Sequence, residues 1–253
     1  MAATEHEFFE DAREWSSRKM NIIEKYLNGF ATILGKGAYS SLVYIDGFAG
    51  KGMYGEGEKR VEGSPVRAAK LASEKYPDVL SCIFVEKDDE NFADLNRHTA
   101  PFLHWVKIYH GEFSEWADNI INRIGKKAAL VFLDAFGVKG ADWETVCKFV
   151  SRPHITDVWI RFDHRTIRRL DGFVNSTSKD AMMKKALLGE HFGIGDPDLL
   201  HSLLDAPTQE QRILKAVALY RTRLMQVMGE YGFVGAYPII SLNGEKKYHL
   251  LFA

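Results

Sequence analysis

The sequence is short of the features that assign a function at sight. It has two cysteines in 253 residues, too few for a disulfide framework, and no Cys/His cluster at zinc spacing, so no metal site is expected. Cys82 and Cys147 fall inside a predicted strand and a predicted helix. There they read as small buried thiols of a reducing compartment, and the expected location is the cytoplasm. No signal peptide opens the chain and no apolar run approaches bilayer-spanning length, so no membrane partner is expected. Formal net charge is only −1. Without a global field, any contact with nucleic acid must use a local basic patch. No repeat or low-complexity linker interrupts the chain. A P-loop is also missing, because Lys51 is followed by Gly52 rather than Ser or Thr, and Gly47, Gly50 and Gly52 read GxxGxG instead of the GxGxxG of dinucleotide folds.

What is present is enough apolar material, 46% of residues, to bury a full core as one domain or one domain plus a cap. The chain is organised around residues 42–52, LVYIDGFAGKG. Leu42 to Ile45 have the length and residue types of a strand buried on both faces. Asp46 ends the run and three glycines follow, leaving bare backbone where a small ligand can approach. In a parallel α/β sheet that place is the carboxyl edge, where ligands bind. A strand end with a flexible turn and no ligand is the other reading.

The flanking pattern repeats strand, turn and helix. The first dozen residues are acidic and are expected to fray. Trp15 to Leu34 carry a helical period that predicts a packing helix, its lysines Lys19 and Lys25 facing water, as helix lysines usually do, or a ligand. Residues 53–63 are polar and Gly-rich, either a flexible lid or a disordered loop. Ser64-Pro65 predicts the next helix, Ser64 as N-cap and Pro65 at the first position, running to about Tyr76. A second strand, Ser81 to Val85, ends in Glu86, where a carboxylate can accept from both hydroxyls of a ribose; Asp88 or Asp89 then caps a helix over 91–99. A third strand over 105–109 leads to Glu112 and Phe113 and to a helix over 114–124 with Trp116, Ile120, Ile121 and Ile124 inward.

A fourth strand, Ala129 to Leu133, ends in Asp134-Ala135-Phe136-Gly137. Asp142 is the expected N-cap of a helix over 143–150 that buries 143, 146, 147 and 150. A fifth strand spans 156–162. Arg161, Arg165, Arg168 and Arg169, against the single Asp163, form the densest basic run in the chain, either a phosphate-binding edge or a solvated helix face. Residues 171–206 read as short helices and loops, a possible small cap. Residues 209–231 form an amphipathic helix, and residues 236–242 and 247–253 a hairpin across Asn243-Gly244. The expected domains are 1–37, an acidic segment and packing helix, and 38–253.

The turn Asp46-Gly-Phe-Ala-Gly-Lys-Gly52 resembles the Asp-x-Phe-Ala-Gly-x-Gly turn of class I S-adenosylmethionine (SAM) methyltransferases. With the Trp15 to Tyr26 helix, Gly63-Ser64-Pro65, Glu86-Lys87-Asp88, Gly111-Glu112-Phe113, Asp134-Ala-Phe-Gly137 and Tyr248-His-Leu-Leu-Phe-Ala253, the chain resembles the three-Cys-motif partner proteins. It departs from them at Ala135, where they usually have proline. The resemblance implies a doubly wound, mostly parallel seven-stranded Rossmann-like sheet of the class I methyltransferase plan, closed by a terminal antiparallel hairpin. It implies SAM as cofactor, with Asp46 near the methionine ammonium, Gly47, Phe48, Gly50 and Gly52 in the turn, Glu86 on the ribose, and Glu112 and Phe113 by the adenine. The four-residue turn at 134 is similar to the Asp-Pro-Pro-Tyr/Phe turn of amino-methyltransferases. That likeness makes Asp134 the acceptor from a target amine and Phe136 the platform under an extruded nucleic-acid base. A cytosine C5 mechanism, which needs a nucleophilic Cys in a Pro-Cys turn after strand four, is excluded, since neither Cys82 nor Cys147 lies in such a turn. The rival expectation is a non-catalytic SAM-binding partner of a three-cysteine, radical-SAM-like protein; a third is methyl transfer to a protein or small molecule.

Overall fold

In the computed structural model, the described residues are 5–37, 39–55, 57, 60–135, 140–168, 178–230, 232–241, 244 and 246–253, with side chains described from Lys19 onward except at 165 and 166. The chain falls into two compact units. The first comprises Met1–Phe132, His154–Thr156 and Ile239–Lys246; the second comprises Leu133–Pro153, Asp157–Pro238 and Lys247–Ala253.

The main strands are β1 (Leu42–Asp46), β4 (Leu80–Glu86), β5 (Val106–His110), β6 (Ala128–Leu133), β7 (Thr156–Asp163), β8 (Gly235–Ile240) and β9 (Lys246–Phe252). They form one seven-stranded sheet in the order β5-β4-β1-β6-β7-β9-β8. β1 lies parallel to both β4 and β6, and β4 parallel to β5. β9 runs antiparallel to β7. The fold is the expected α/β plan. Every residue of β1 and of β6 is buried, which is why both read as continuous apolar runs without alternation. The strand order reverses at β1, between β4 and β6, so the carboxyl end of β1 is the switch point where this architecture places ligands.

In the first unit, helices α1 (Glu5–Gly35), α2 (Ser64–Glu74), α3 (Asp89–Thr99) and α4 (Phe113–Ile124) connect and cover the strands. α1 packs on α2 and β1 through Ile23, Leu27, Phe30 and Ala31. It starts ten residues before Trp15, because Glu5 to Arg13 hold good helix formers and acids suited to a helix N-terminus. Lys19 is buried, not solvated, its ammonium 5.9 Å from the centre of the Phe132 ring. The N-cap of α2 is Gly63 rather than Ser64, and the helix stops at Glu74. Within residues 53–63, β2 (Met53–Tyr54) pairs antiparallel with β3 (Val61–Glu62), and residues 56, 58 and 59 lie outside the described residues. On α4 the buried stripe is Phe113, Ala117, Ile120 and Ile124. The helix begins at Phe113, which moves Trp116 and Ile121 to its half-buried flanks.

The second unit holds α5 (Trp143–Val150), α6 (His164–Arg168), α7 (Lys179–Phe192), α8 (Pro197–Leu204) and α9 (Gln209–Met228). α9 packs on α5, α6 and α8. The aromatic core joins Phe162, Phe192, His191 and Tyr220, with ring centroids 5.4 Å apart for Phe162–Tyr220 and 5.0 Å for the stacked His191–Tyr220 pair. The sequence reading of α5 is corrected here. Asp142 caps it as expected, but the buried residues are Thr145, Val146, Phe149 and Val150. Trp143 and Cys147 sit at the margin, Trp143 edge-on to Tyr220 and beneath the Arg223 guanidinium at 4.9 Å. Within 171–206, residues 171–177 lie outside the described residues, and α7 and α8 account for most of the rest.

The α5 face can be checked by urea unfolding. Phe149→Ala is expected to cost about 3–5 kcal/mol, and Cys147→Ala less than about 1 kcal/mol. The reverse order would restore the face read from the sequence.

Candidate functional site

The glycine turn after β1 is held by its own backbone. Gly47 N–H donates to Phe132 O at 3.0 Å and Ala49 N–H to Val85 O at 3.0 Å. Phe48 N–H donates to Asp46 Oδ1 at 3.2 Å, and Gly50 N–H to Glu86 Oε2 at 2.7 Å. Four successive N–H groups, 47 to 50, thus meet protein acceptors and are not free to cradle a phosphate. Asp46 is 0% exposed and also takes the Tyr44 hydroxyl at 3.4 Å. At that burial its carboxylate shapes the turn and sets a negative charge beneath it.

Glu86 is the centre of the site. It is 8% exposed, and its other oxygen accepts from Asp88 N–H at 2.8 Å. Each carboxylate oxygen keeps a second acceptor direction, so the group can still receive two hydroxyls. Gly50 has φ +64°, a left-handed conformation that suits glycine. A Cβ there would also collide with the Tyr54 hydroxyl. Gly63 N–H bonds Gly52 O at 2.8 Å, so the β2–β3 ribbon is an excursion that returns the chain to the turn and starts α2 beside it. His98 Nδ1 lies 2.7 Å from Lys51 O and must be the protonated nitrogen, since a carbonyl only accepts.

At the end of β5 the two residues expected near an adenine part company. Glu112 is partly exposed and ion-paired with Lys87 at 3.1 Å. Phe113 is 1% exposed in the core, its ring 6.1 Å from that of Phe48. Sequence reading missed a neighbouring pair, Phe92 stacked on His110 at 4.4 Å, with Asp89 3.1 Å from His110 Nε2. Aromatic residues just inside α3 and at the last position of β5 were the available signal.

In the second unit the structure gathers residues that the sequence scattered. Arg161, 5% exposed, is clamped by Asp134 (Nη1–Oδ1 3.5 Å) and Asp163 (Nη2–Oδ2 3.3 Å), and lies 4.7 Å over the Tyr248 ring. It is therefore an internal ion pair and not part of a solvent-facing basic run. Arg168 is partly buried, its carbonyl accepting from Gln209 at 3.4 Å. The side chain of Arg165, and Arg169 altogether, lie outside the described residues. So does Phe136, which leaves Asp134 alone of the expected acceptor-side pair. His164 Nε2 and His249 Nδ1 stand 2.7 Å apart, both buried. Burial, reinforced by the Asp134 charge and opposed by Arg161, pushes the Tyr248 hydroxyl far above its usual range.

Both thiols are also poor nucleophiles at neutral pH. Burial drives Cys82 well up, helped by Asp46, and Cys147 up to about 11. Among the described residues, no group of three or more His, Cys, Asp or Glu could hold a metal ion, and no helix is long and apolar enough to cross a membrane.

Two variants probe this unit. Arg161→Met strands the buried Asp163 and the half-buried Asp134 and should cost about 3–5 kcal/mol, read by denaturant melts; unchanged stability would return Arg161 to a surface role. His191 is held down to about 4 by burial, against weaker support from Ala141, Asp142 and Asp163. Its neutral form is the folded one, so the unfolded chain binds more protons between pH 6.5 and 4. Stability is complete above about pH 6.5 and falls as pH drops toward 4, by on the order of 3 kcal/mol. His191→Phe should remove that part of the pH dependence; an unaltered profile would show that His191 does not contribute.

No protein-family model matches the chain, and no curated protein matches its sequence. Among solved structures it is similar to the O-methyltransferase TomG from Streptomyces achromogenes, in complex with SAM. Identity is 14%, coverage 96% of this chain and 88% of that one, and TM-score 0.48. It is also similar to an O-methyltransferase from Bacillus cereus, in complex with SAH (13%; 100% and 93%; TM-score 0.47). A third is M. jannaschii TYW2, in complex with AdoMet (10%; 100% and 76%; TM-score 0.39). At these identities and TM-scores the fold assignment rests on strand order and register, not on the likenesses.

Proposed function

We propose that the chain binds SAM at the glycine turn and acts as a methyltransferase. One observation carries the reading: Glu86, a buried acid at the end of β4, is held against the Gly50 amide at the switch point. That couples a ribose acceptor to a turn of bare backbone. The first unit's residues fit the group. Glu86 has acceptor directions for both ribose hydroxyls, the turn admits close approach, and buried Asp46 supplies negative charge beneath a cationic ligand. When bound, SAM supplies an electrophilic methyl on a sulfonium sulfur. The chain's own task is to orient the reactants, with no metal or covalent residue required.

An amino group of a nucleic-acid base is the proposed acceptor. It rests on the Asp134-Ala-Phe-Gly sequence, with Asp134 accepting from the amine and Phe136 stacking on the base. Arg161 holds the Asp134 carboxylate in place for that role. Arg168, with Arg165 and Arg169, is the proposed phosphate contact, and the cytoplasm the proposed location.

Melts in SAM, SAH and NAD test the cofactor. Saturation a hundredfold above Kd should stabilise by roughly 2.7 kcal/mol with SAM or SAH, and Glu86→Ala should abolish the shift. No shift, or a shift with NAD alone, rejects the reading. Labelled SAM offered with mixed nucleic acids, a protein panel and small acceptors then sorts the substrate class. Arg168→Ala should flatten the salt dependence of nucleic-acid binding by about 0.7 to 0.9 in slope. Binding of SAM without turnover on any acceptor would leave the role of a scaffold beside a three-cysteine, radical-SAM-like protein.

A further inference from the structure

The β2–β3 ribbon puts one aromatic side chain on the glycine turn. Tyr54, 45% exposed, pairs with Val61 across the ribbon and lies against two glycines. A Cβ on Gly50 would strike its hydroxyl, and a Cβ on Gly63 would come within 2.9 Å of its ring edge. Neither position admits a side chain while Tyr54 is there. Gly63 is further pinned by its bond to Gly52 O. The ring is also already used as a cation receptor: the Lys51 ammonium stands 5.7 Å from its centroid. An aromatic face that accepts one cation accepts another of similar size, as in the recognition of alkylated ammonium groups.

The place of this ring matters because Gly50 is one hydrogen bond from Glu86. A ribose held by Glu86 carries its sulfur on the adjoining exocyclic carbon. With the ribose held so, Tyr54, packed on Gly50, would flank the place of that sulfur. Resting on the SAM-binding reading above, we propose that Tyr54 reads the charge of that sulfur: its ring takes the sulfonium of SAM in place of the Lys51 ammonium, and does not take the neutral thioether of SAH. Tyr54 is then the residue that lets the spent, uncharged product leave in favour of fresh cofactor. Lys51 is its internal competitor, a like charge that the incoming sulfonium must displace.

The test is calorimetric binding of SAM and of SAH, separately, to the wild-type chain and three variants. Tyr54→Phe keeps the ring and should keep the ratio of SAM to SAH affinity. Tyr54→Leu loses the ring and should lower SAM affinity about five- to tenfold while leaving SAH affinity within about twofold. Lys51→Gln removes the competitor and should shift the ratio the other way, toward SAM. Equal weakening of both ligands by Tyr54→Leu would make Tyr54 a packing residue and overturn the proposal, as would an unchanged ratio in that variant or a ratio moved toward SAH by Lys51→Gln. If Tyr54→Leu fails to fold, the Lys51→Gln ratio decides alone. Failure of the underlying reading looks different: the wild-type chain binds neither ligand, and both ideas fall together.

Discussion

The hydrogen bond from Gly50 N–H to the Glu86 carboxylate is the constraint on which the rest of the first unit depends. A carboxylate taken out of water needs donors, and Glu86 draws two from backbone, Gly50 and Asp88. The Gly50 amide can only be presented from a left-handed turn, which explains why that position is glycine. The turn can only be placed there because β1 lies between β4 and β6, in register with both, so that Gly47 reaches Phe132 and Ala49 reaches Val85. Asp88, having given its amide to Glu86, uses its side chain to cap α3. Strand pairing, turn, acid and helix start are therefore one arrangement, and loosening any of them frees a buried charge.

The second unit meets the same problem with a different device. Here the buried cation is a guanidinium, and it faces two carboxylates and an aromatic ring at once. Arg161 and Asp163 are two apart on β7, so they share one face of the strand, and Tyr248, directly opposite Asp163 on β9, shares it too. His249 is paired with Phe162 and faces the other way, where it meets His164. Alternation along two neighbouring strands thus separates a charged layer from a layer of imidazoles and aromatic rings. Neither layer is visible in composition, because its members lie 85 residues apart in the His164–His249 case.

That separation explains what could be read from the sequence and what could not. Local signals were faithful. Runs of apolar residues ending in an acid or glycine located β1, β4 and β6 to within a residue or two, and Asp142, Asp88 and Pro65 marked helix starts. Helix faces were less secure. On α5 two stripes compete, and the buried one holds Phe149, while Trp143, at its margin, meets Tyr220 and Arg223 of α9. Charged residues misled most. Lys19 and Arg161 look solvated by type, and a guanidinium beside three more arginines looks like a phosphate site. Whether a charge is buried depends on partners supplied by remote strands, and neither propensity nor spacing reports these. Glu86 was legible as the acid that ends its strand because that follows from position on one strand; that Gly50 would be its donor was not, because the contact crosses from one strand end to the next.

The same geometry bears on which ligands the turn can tolerate. A dinucleotide or nucleoside triphosphate brings negative phosphates to the carboxyl end of the first strand and needs outward-facing amides there. This turn has spent the amides of residues 47–50 on protein oxygens and has an acid, Asp46, fully buried immediately beneath. A phosphate would meet an anion at close range in a poorly solvated place, without the donors that offset the cost. A ligand with hydroxyls for Glu86 and positive charge over the turn needs no amide nest; Asp46 attracts it, and it has to displace the Lys51 ammonium from the Tyr54 ring. The cofactor proposed above, with a sulfonium beside its ribose and no pyrophosphate, matches that balance.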